Sequence, residues 1–265
     1  MENNFKKKIQ SGAYTLGTFI EIGNMSGLEA LCNTGLDYVI IDAEHGHFDT
    51  ETITDLIRAA ELNNLTPLVR IGEISRAVIQ KVLDSGAMGL IVPGLQTIEE
   101  VRHLVQLAKF PPLGQRGYCP NRGSRWGACD EPNLPLTSAM NNTNDRVLLI
   151  PQCETKELLE VIDEVVQIDG VDGVFIGPFD LSISMGLAGQ FDHPTFKAAT
   201  TKIRQTVKAA GKILMYFSLD PKSAGALAAQ GYDGITLSLD TRVLQDAYQQ
   251  LVTDATASVI NSKTP

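Results

Sequence analysis

The sequence predicts a closed (β/α)8 barrel, and three observations lead to that fold class. A helical pattern, a glycine turn and a short apolar run follow one another four times, at Gly35, Gly86, Gly170 and Gly231. Glycine suits the left-handed cap at the end of a helix, and a short, wholly apolar run is typical of a parallel strand buried on both faces. Filling the intervals gives eight strands in 265 residues, an ordinary length for a single barrel.

The predicted strands are the short apolar runs, taken in chain order. They are Thr15–Ile20, Tyr38–Asp42, Thr66–Arg70, Gly89–Val92, Arg146–Gln152, Gly173–Ile176, Lys212–Phe217 and Gly234–Ser238. Helical patterns lie between them, for example at Thr50–Asn63, Ile98–Ala108, Thr155–Gln167, Pro194–Ala210 and Pro221–Gln230. This alternation favours a parallel α/β sheet. An open, doubly wound sheet is the alternative, but the GxGxxG turn of dinucleotide-binding sheets is absent from the sequence.

We expect one domain over residues 1–265, because barrel-like units continue along the chain without a composition break. One segment, at about 109–145, interrupts the alternation between the fourth helix and the fifth strand. It is too long for an ordinary connection, so it is predicted as a long loop with short helices of its own.

Composition and charge exclude several classes of function. A net charge of −9 and a pI near 4.9 argue against nucleic acid or an anionic membrane as the main partner. No signal-peptide pattern and no stretch of membrane-spanning length are present, which favours a cytoplasmic location. The four cysteines, Cys32, Cys119, Cys129 and Cys153, form no CxxC pair, which fits a reducing compartment.

Two carboxylates stand where buried apolar runs end. Glu154 follows the run that begins at Val147, and Asp180 follows the run that begins at Val174. A carboxylate just beyond a core strand is costly to desolvate unless a cation or hydrogen-bond donors compensate it. Two such positions on different strands suggest a shared divalent metal with oxygen ligands. The alternative is that each carboxylate caps a helix, Glu154 at Thr155 and Asp180 at Leu181.

Three more polar residues are predicted at the same end of the barrel. His45 follows the second strand, Arg70 ends the third, and Gln152 lies at the end of the fifth. The carboxyl ends of the strands form the face where such barrels hold their active sites. Arg70 at the end of a buried strand requires an anionic partner, whereas His45 taken alone is also compatible with an ordinary turn.

The types of residue favour one kind of chemistry. Two carboxylates and an amide suit Mg²⁺ or Mn²⁺, whereas zinc usually takes histidine or cysteine ligands, and none are spaced for it. Imine chemistry needs a lysine at the carboxyl end of a strand. Lys212 opens the seventh strand, at the opposite end, and Lys156 lies in a helix. We therefore expect metal-assisted chemistry.

The motifs at these positions resemble those of the HpcH/HpaI aldolases. They are Asp42-Ala43-Glu44-His45, Arg70, Pro93-Gly94, Gly114-Gln115-Arg116-Gly117, Gln152-Cys153-Glu154 and Gly177-Pro178-Phe179-Asp180-Leu181-Ser182. The resemblance extends from about Gly17 to about Asp240. It implies a class II aldolase that reversibly cleaves a 4-hydroxy-2-oxo acid into pyruvate and an aldehyde. It also implies a divalent metal, Mg²⁺ or Mn²⁺ with Co²⁺ as a further candidate, and a homo-oligomer, typically a hexamer.

The resemblance also implies a role for each residue. Glu154 and Asp180 would hold the metal, with Arg70 on the 2-oxo group and Gln152 supporting the same pocket. The backbone amides around Phe179 and Asp180 would receive the substrate carboxylate. Phe179 itself departs from the family pattern, because it fills a position that is usually small, and we expect its ring to narrow the site near the aldehyde and favour smaller acceptors. His45 would manage the proton, together with Asp42 or with Asp84 of a neighbouring subunit.

Two other functions are compatible with the sequence. A lyase for acyl-CoA thioesters of the malyl- or citryl-CoA type would need a basic surface for the nucleotide phosphates, and Arg116, Arg122 and Arg125 are the candidates. A catalytically inactive barrel that acts as a binding protein is the third hypothesis. The set formed by His45, Arg70, Glu154 and Asp180 argues against it.

Overall fold

The computed structural model describes residues 3–127 and 134–261, and within them eight parallel strands close into a barrel. Each strand pairs with the next in the chain, and the last pairs with the first. The strands are β1 (Thr15–Ile20), β2 (Tyr38–Asp42), β3 (Thr66–Arg70), β4 (Gly89–Val92), β5 (Leu148–Cys153), β6 (Gly173–Ile176), β7 (Ile213–Ser218) and β8 (Gly234–Leu239). The (β/α)8 prediction is confirmed, and the open sheet is excluded.

Helices follow the strands and cover the outside of the barrel. They are α1 (Asn4–Gln10), α2 (Met25–Glu29), α3 (Thr50–Leu62), α4 (Arg76–Asp84), α5 (Ile98–Ala108), α6 (Leu136–Arg146), α7 (Lys156–Glu160), α8 (Ile162–Val165), α9 (Pro178–Ser184), α10 (Pro194–Ala209), α11 (Ala224–Ala229) and α12 (Asp240–Asn261). Short 3₁₀ turns lie at Arg122–Gly127 and Pro221–Ser223. No helix in the described part of the chain is long and apolar enough to cross a membrane.

Three predicted boundaries were wrong. Arg146 ends helix α6 instead of opening β5, which begins at Leu148. The helix predicted at Thr155–Gln167 is two short helices, separated at Val161, whose backbone leaves the helical region at φ −102° and ψ 11°. The segment Pro221–Gln230 begins as a 3₁₀ turn and becomes α-helical only at Ala224.

The four glycine turns have the backbone geometry that the sequence predicted. Gly35, Gly86, Gly170 and Gly231 have φ values of 91°, 106°, 94° and 90°. Residues with a side chain rarely adopt this left-handed region, because the β-carbon crowds the backbone. Each glycine therefore turns the chain back toward the next strand.

The barrel interior is closed at its N-terminal end by helix α1. Phe5 is fully buried there, and its ring packs edge-on against Tyr38 with 4.9 Å between ring centroids. The backbone N–H of Phe5 donates to Thr66 Oγ1 at 3.1 Å, and Asn3 Nδ2 donates to the carbonyl of Met88. Because this end is plugged, the carboxyl ends of the strands form the open mouth.

The segment at 109–145 is attached to the barrel by a buried lysine. Lys109 Nζ donates to the carbonyls of Asn144 and Val147 at 2.7 and 2.6 Å and to Asp172 at 3.0 Å. Burial lowers the pKa of Lys109, and the charge of Asp172 acts in the opposite direction. The segment contains the 3₁₀ turn and α6, while residues 128–133, including Cys129, lie outside the described residues.

Candidate active site

A cavity of about 300 Å³ opens at the carboxyl ends of the strands. Five of the residues singled out in the sequence line it: His45, Arg70, Gln152, Phe179 and Asp180. Its other walls are formed by Phe19, Glu21, Phe175, Gly177, Pro178, Phe217, Leu219 and Leu239. These five side chains thus meet in one cavity, whose lining does not include Glu154.

Arg70 is fixed in this cavity by Asp42. Nε and Nη2 of Arg70 donate to the two carboxylate oxygens of Asp42 at 2.8 and 2.6 Å, and Asp42 is fully buried. Burial acts to lower the pKa of Arg70, but its hydrogen bonds and charge interaction with Asp42 outweigh burial, so the pKa is raised. Asp42 is therefore the anionic partner that Arg70 required, and it is already engaged by the guanidinium.

Glu44 belongs to the site and was missed in the sequence. Its Oε2 lies 3.2 Å from Arg70 Nε and 3.7 Å from His45 Nε2. Burial raises the pKa of Glu44, the charges of Arg70 and His45 lower it, and those of Asp42 and Asp180 raise it. Glu44 follows β2, so a carboxylate just beyond a buried strand is the signal that would have identified it.

Glu154 is buried behind Gln152 and beside Gly94. Its Oε1 accepts a hydrogen bond from the backbone N–H of Gly94 at 2.6 Å, and its Oε2 accepts one from Gln152 Nε2. Burial raises the pKa of Glu154, and the nearby charges of Asp180 and Glu44 raise it further. Thr155, not Glu154, caps helix α7 by accepting from the N–H of Leu158. The helix-capping alternative for Glu154 is therefore excluded.

Gly177 allows Glu154 and Gln152 to approach the start of α9. A β-carbon at Gly177 would come within 2.8 Å of Gln152 Nε2 and 3.0 Å of Glu154 Oε2. The absence of a side chain at this one position therefore leaves room for the two polar groups.

Asp180 lies in the first turn of α9, on the exposed side of the mouth. Gly177 is the N-cap of this helix and provides no side-chain cap. The backbone N–H groups of Phe179 and Asp180 find no acceptor in residues 3–127 and 134–261. The first turn of α9 thus offers two free donors next to the Asp180 carboxylate.

The donors around Asp180 and Glu154 fit a divalent cation with oxygen ligands. The charge of Asp180 raises the pKa of both Glu44 and Glu154, so the three carboxylates lie near one another. Gln152 Oε1 is buried and has no hydrogen-bond partner among the described residues. No three His, Cys, Asp or Glu side chains in the described ranges converge closely enough to hold an ion by themselves. The donor set therefore suits an open site, which water and substrate would complete.

His45 and Asp84 occupy very different places. The side chain of His45 is 66% exposed at the rim of the mouth, next to Glu44. Asp84 ends helix α4 at the N-terminal end of the barrel, where it pairs with Arg116 at 2.8 Å. Asp84 is therefore remote from the mouth of its own chain.

The arginines of the acyl-CoA hypothesis are also at the N-terminal end. Arg116, Arg122 and Arg125 line a separate cavity of about 220 Å³, together with Met88 and Val147 at the starts of β4 and β5. No lysine of the described chain lines the mouth. The arginines are thus placed away from the mouth, and no lysine is placed there for imine chemistry.

One wall of the mouth is apolar, and the sequence predicted only Phe179 as part of it. Phe19 of β1, Phe217 of β7, and Leu219 and Leu239 join Phe179 there. The guanidinium carbon of Arg70 lies 4.6 Å from the centroid of the Phe19 ring, a cation–π contact. Phe19 therefore touches both the polar and the apolar parts of the site.

The chain is similar to known proteins over most of its length. A family model described as HpcH/HpaI aldolase/citrate lyase matches residues 15–247. The chain is 31% identical over 249 residues to the 2-keto-3-deoxy-L-rhamnonate aldolase of Salmonella gallinarum, covering 93% of this chain and 91% of that protein. A crystal structure of an HpcH/HpaI aldolase from Desulfitobacterium hafniense superposes with a TM-score of 0.86 at 32% identity, over 94% of this chain and 95% of the other.

Two further structures show how widely the fold is used. The crystal structure of the citrate synthase SbnG has a TM-score of 0.85 at 29% identity, covering 98% of this chain and 99% of the other. The citrate lyase beta subunit of M. tuberculosis, complexed with oxaloacetate and magnesium, has a TM-score of 0.53 at 16% identity, over 86% of this chain and 93% of the other. At that identity the likeness extends to the fold alone.

Proposed function

The chain belongs to the HpcH/HpaI aldolase/citrate lyase family, and from that premise we propose how its barrel mouth works. It is a metal-dependent class II aldolase, and hence a carbon–carbon lyase. The substrate is a 4-hydroxy-2-oxo acid, cleaved reversibly into pyruvate and an aldehyde. The observation that carries this proposal is that Arg70 and Asp180 line one cavity, while the buried Glu154 lies close enough to both for their charges to interact.

Glu154 and Asp180 are the residues that would hold the divalent cation. Mg²⁺ or Mn²⁺ is favoured, with Co²⁺ as a further candidate, because the donors are carboxylate and amide oxygens. A cation bound there supplies a Lewis acid for the 2-oxo group of the substrate. Gln152 positions Glu154 through its side-chain hydrogen bond, and its own buried Oε1 is left for a ligand or a water.

Arg70 binds the 2-oxo oxygen and the negative charge that develops on it. Its Nε and Nη2 are held by Asp42, and Nη1 has no protein partner within the described ranges. A fixed donor aimed at developing charge needs no reorganisation during the reaction. Asp42 thus acts as a positioning residue for Arg70.

Bond cleavage requires one proton to leave the substrate and another to arrive. The C3–C4 bond breaks, its electron pair moves to C3 and the 2-oxo oxygen, and the 4-hydroxyl loses its proton as it becomes the aldehyde carbonyl. His45 receives that proton at the rim, with Glu44 3.7 Å from its Nε2 to stabilise the imidazolium. Protonation of C3 then yields pyruvate, and the reverse sequence forms the bond.

The carboxylate of the 2-oxo acid binds at the start of helix α9. The free N–H groups of Phe179 and Asp180 support this assignment, since they belong to two residues that line the cavity in the first turn of α9. The Phe179 ring, which lines the cavity, narrows the space left for the aldehyde.

The experiment that tests this function is turnover with and without a chelator. Purified enzyme is incubated with pyruvate and a panel of aldehydes, and carbon–carbon bond formation is measured after metal removal and after re-addition of Mg²⁺ or Mn²⁺. We expect activity to disappear on chelation and to return with the ion. Full turnover after thorough metal removal would refute the mechanism.

A homo-oligomer, a hexamer by analogy with the family, is part of the proposal. Helix α12 projects from the barrel, with exposed apolar side chains at Val243, Leu244, Tyr248, Leu251 and Val252. An exposed apolar surface of this kind usually marks an interaction site, and a second copy of the chain is the proposed partner. In such an assembly Asp84 of a neighbouring subunit would assist His45.

The remaining parts of the proposal concern partners and location. Small molecules, not nucleic acid or membrane, are the expected ligands, in keeping with the net charge of −9. A cytoplasmic location fits the unpaired Cys32, Cys119 and Cys153. Acyl-CoA thioester cleavage has less support, since its candidate arginines lie at the opposite end of the barrel. The complete polar set in the mouth argues against an inactive binding protein.

A further inference from the structure

We infer that the aldehyde end of the mouth is built for an apolar acceptor, without hydroxyl groups on its carbon chain. The inference rests on the proposed aldolase function and specifies its substrate class. The cavity has two chemically different halves. Arg70, Gln152 and Asp180 form a polar half, and Phe179 together with residues of β1 and of the ends of β7 and β8 forms the other.

The second half is lined almost entirely by apolar side chains. The Phe217 ring contacts Phe19 with 5.5 Å between centroids and Phe179 with 6.1 Å, so the three rings form one continuous wall. Leu219 and Leu239 extend this wall to the rim. Phe179 is 38% exposed and Leu219 45% exposed, which leaves apolar surface in contact with water at the cavity edge. An apolar ligand chain would cover that surface and gain its burial.

Two polar side chains next to this wall, Ser218 and Asp240, are already engaged in hydrogen bonds within the chain. Ser218 Oγ contacts Ser223 Oγ at 2.8 Å and receives the N–H of Asp220. The Asp240 carboxylate accepts the backbone N–H groups of Glu21 and Ile22 at 3.0 Å. Because both groups are held by hydrogen bonds to other parts of the chain, they are not free to recognise substrate hydroxyls.

Glu21 is the one charged residue at this wall in the cavity lining. Its Oε2 accepts from Thr241 Oγ1 at 2.8 Å, which turns that oxygen toward the start of α12. A hydroxylated acceptor would therefore bury several hydroxyl groups against carbon, where each loses its bonds to water.

The apolar wall lies directly beside the polar half of the cavity, which places it where the aldehyde part of the substrate would bind. The guanidinium of Arg70 lies over the ring of Phe19 at 4.6 Å, so the 2-oxo end of the substrate and the apolar wall are in direct contact. With the pyruvate part at Arg70 and Asp180, the rest of the substrate extends along the wall. The apolar wall is thus the acceptor subsite.

The test compares pairs of aldehydes in which each hydroxyl group of one member is replaced by a methyl group in the other. 2-Methylpropanal is paired with lactaldehyde, and 2-methylbutanal with glyceraldehyde, each with pyruvate as donor. For each pair we divide kcat/KM for the apolar aldehyde by kcat/KM for the hydroxylated one. This ratio is measured in the wild type and in Leu219→Ser. Comparing the same ratio in two proteins cancels the different intrinsic reactivities of the aldehydes. We expect the ratio to fall about tenfold in Leu219→Ser, the scale of one methylene in an apolar pocket.

Leu62→Ser is the matched control, because Leu62 is an exposed leucine at the end of α3, outside the cavity. It should keep the wild-type ratio. Phe217→Ser is a second variant deeper in the wall and should move the ratio in the same direction as Leu219→Ser. An unchanged ratio in both wall variants would overturn the inference.

A readout that needs no acceptor separates this inference from the proposed function. Exchange of the C3 protons of pyruvate with deuterons from D₂O, dependent on Mn²⁺, reports enolate formation alone. Leu62→Ser should exchange at the wild-type rate. If the wild type exchanges but its ratio is the same in every variant, the acceptor inference fails and the aldolase function stands. If the wild type does not exchange, the proposed function fails.

Discussion

Asp42 holds the guanidinium of Arg70 through two hydrogen bonds, of 2.8 and 2.6 Å, at the junction of β2 and β3 with the mouth. The two residues are directly paired across the parallel sheet. Because Asp42 is fully buried and takes both Nε and Nη2, it fixes the orientation of the guanidinium before any substrate arrives. A donor held in this way can stabilise developing charge at little cost in conformational entropy.

Arg70→Ala should reduce kcat about a hundredfold or more, as removal of one oxyanion donor commonly does. Arg70→Lys should recover little of this loss, because an ammonium group cannot make the two-pronged contact with Asp42. Steady-state kinetics on pyruvate and one aldehyde measure both variants. Arg58→Ala on the outside of α3, where Arg58 pairs with Asp55, is the control and should match the wild type. A loss of less than threefold in Arg70→Ala would exclude the assigned role.

Glu154→Gln should change the pH dependence of stability in the metal-free protein. Burial raises the pKa of Glu154 above its ordinary value of 4.5, so the folded state holds the proton more tightly than the unfolded chain. This tighter proton binding stabilises the folded state fully when the pH is below the ordinary pKa. The stabilisation is lost as the pH rises through the raised pKa of the folded state. The Tm of chelated wild type should therefore fall relative to that of Glu154→Gln as the pH rises above 4.5.

The thermal stability of Glu154→Gln should not respond to added metal. Saturating Mn²⁺ at pH 7 should raise the Tm of the wild type but not that of Glu154→Gln, because a ligand stabilises only the state that binds it. Glu160→Gln, an exposed position in α7, should behave as the wild type does. A parallel Tm response of wild type and Glu154→Gln to both pH and Mn²⁺ would contradict the account.

Gly177→Ala should weaken metal binding without unfolding the barrel. The new β-carbon would lie 2.8 Å from Gln152 Nε2 and 3.0 Å from Glu154 Oε2, so both side chains must shift. We expect at least a tenfold rise in the Kd for Mn²⁺, since disturbing the groups that orient a metal ligand typically costs about 10- to 100-fold. Gly225→Ala is the control, because a β-carbon there meets nothing within 4 Å. Equal Mn²⁺ affinity in the two variants would count against a metal at Glu154.

Phe179→Ala should widen the range of aldehydes that the enzyme accepts. The ring lines the cavity between Phe217 and Phe191 and occupies space at the acceptor end. The ratio of kcat/KM for hexanal over propanal should rise about tenfold, since both are apolar and differ only in length. Ile183→Ala, exposed on the same helix and outside the cavity, should leave the ratio as it is. No change in Phe179→Ala would refute its role in setting acceptor size.

The barrel could be predicted because its strands are short apolar runs that begin after glycine turns. That signal is local: Gly86 and Gly89, for instance, delimit the turn into β4. The errors came where packing overrides local pattern. Arg146 has the position of a strand residue in the sequence but ends α6, and Val161 interrupts a stretch whose apolar spacing is helical throughout.

The candidate site could be predicted only in part, since it depends on which strands are neighbours. The positions of Arg70, Gln152 and Asp180 followed from strand ends, which face one way in a parallel barrel. The contact between Phe217 and Phe19 requires β7, β8 and β1 to be adjacent, which only barrel closure provides. Nothing local in the sequence distinguishes these rings from core residues.

A divalent cation held between Glu154 and Asp180 is the central requirement of the proposed mechanism. Anomalous scattering from bound Mn²⁺ tests the presence of that cation most directly. Crystals grown with MnCl₂ and pyruvate should show an anomalous peak within about 2.5 Å of a carboxylate oxygen of each residue, with pyruvate oxygens completing the site. A peak elsewhere, or none between these two side chains at saturating Mn²⁺, would contradict the central claim.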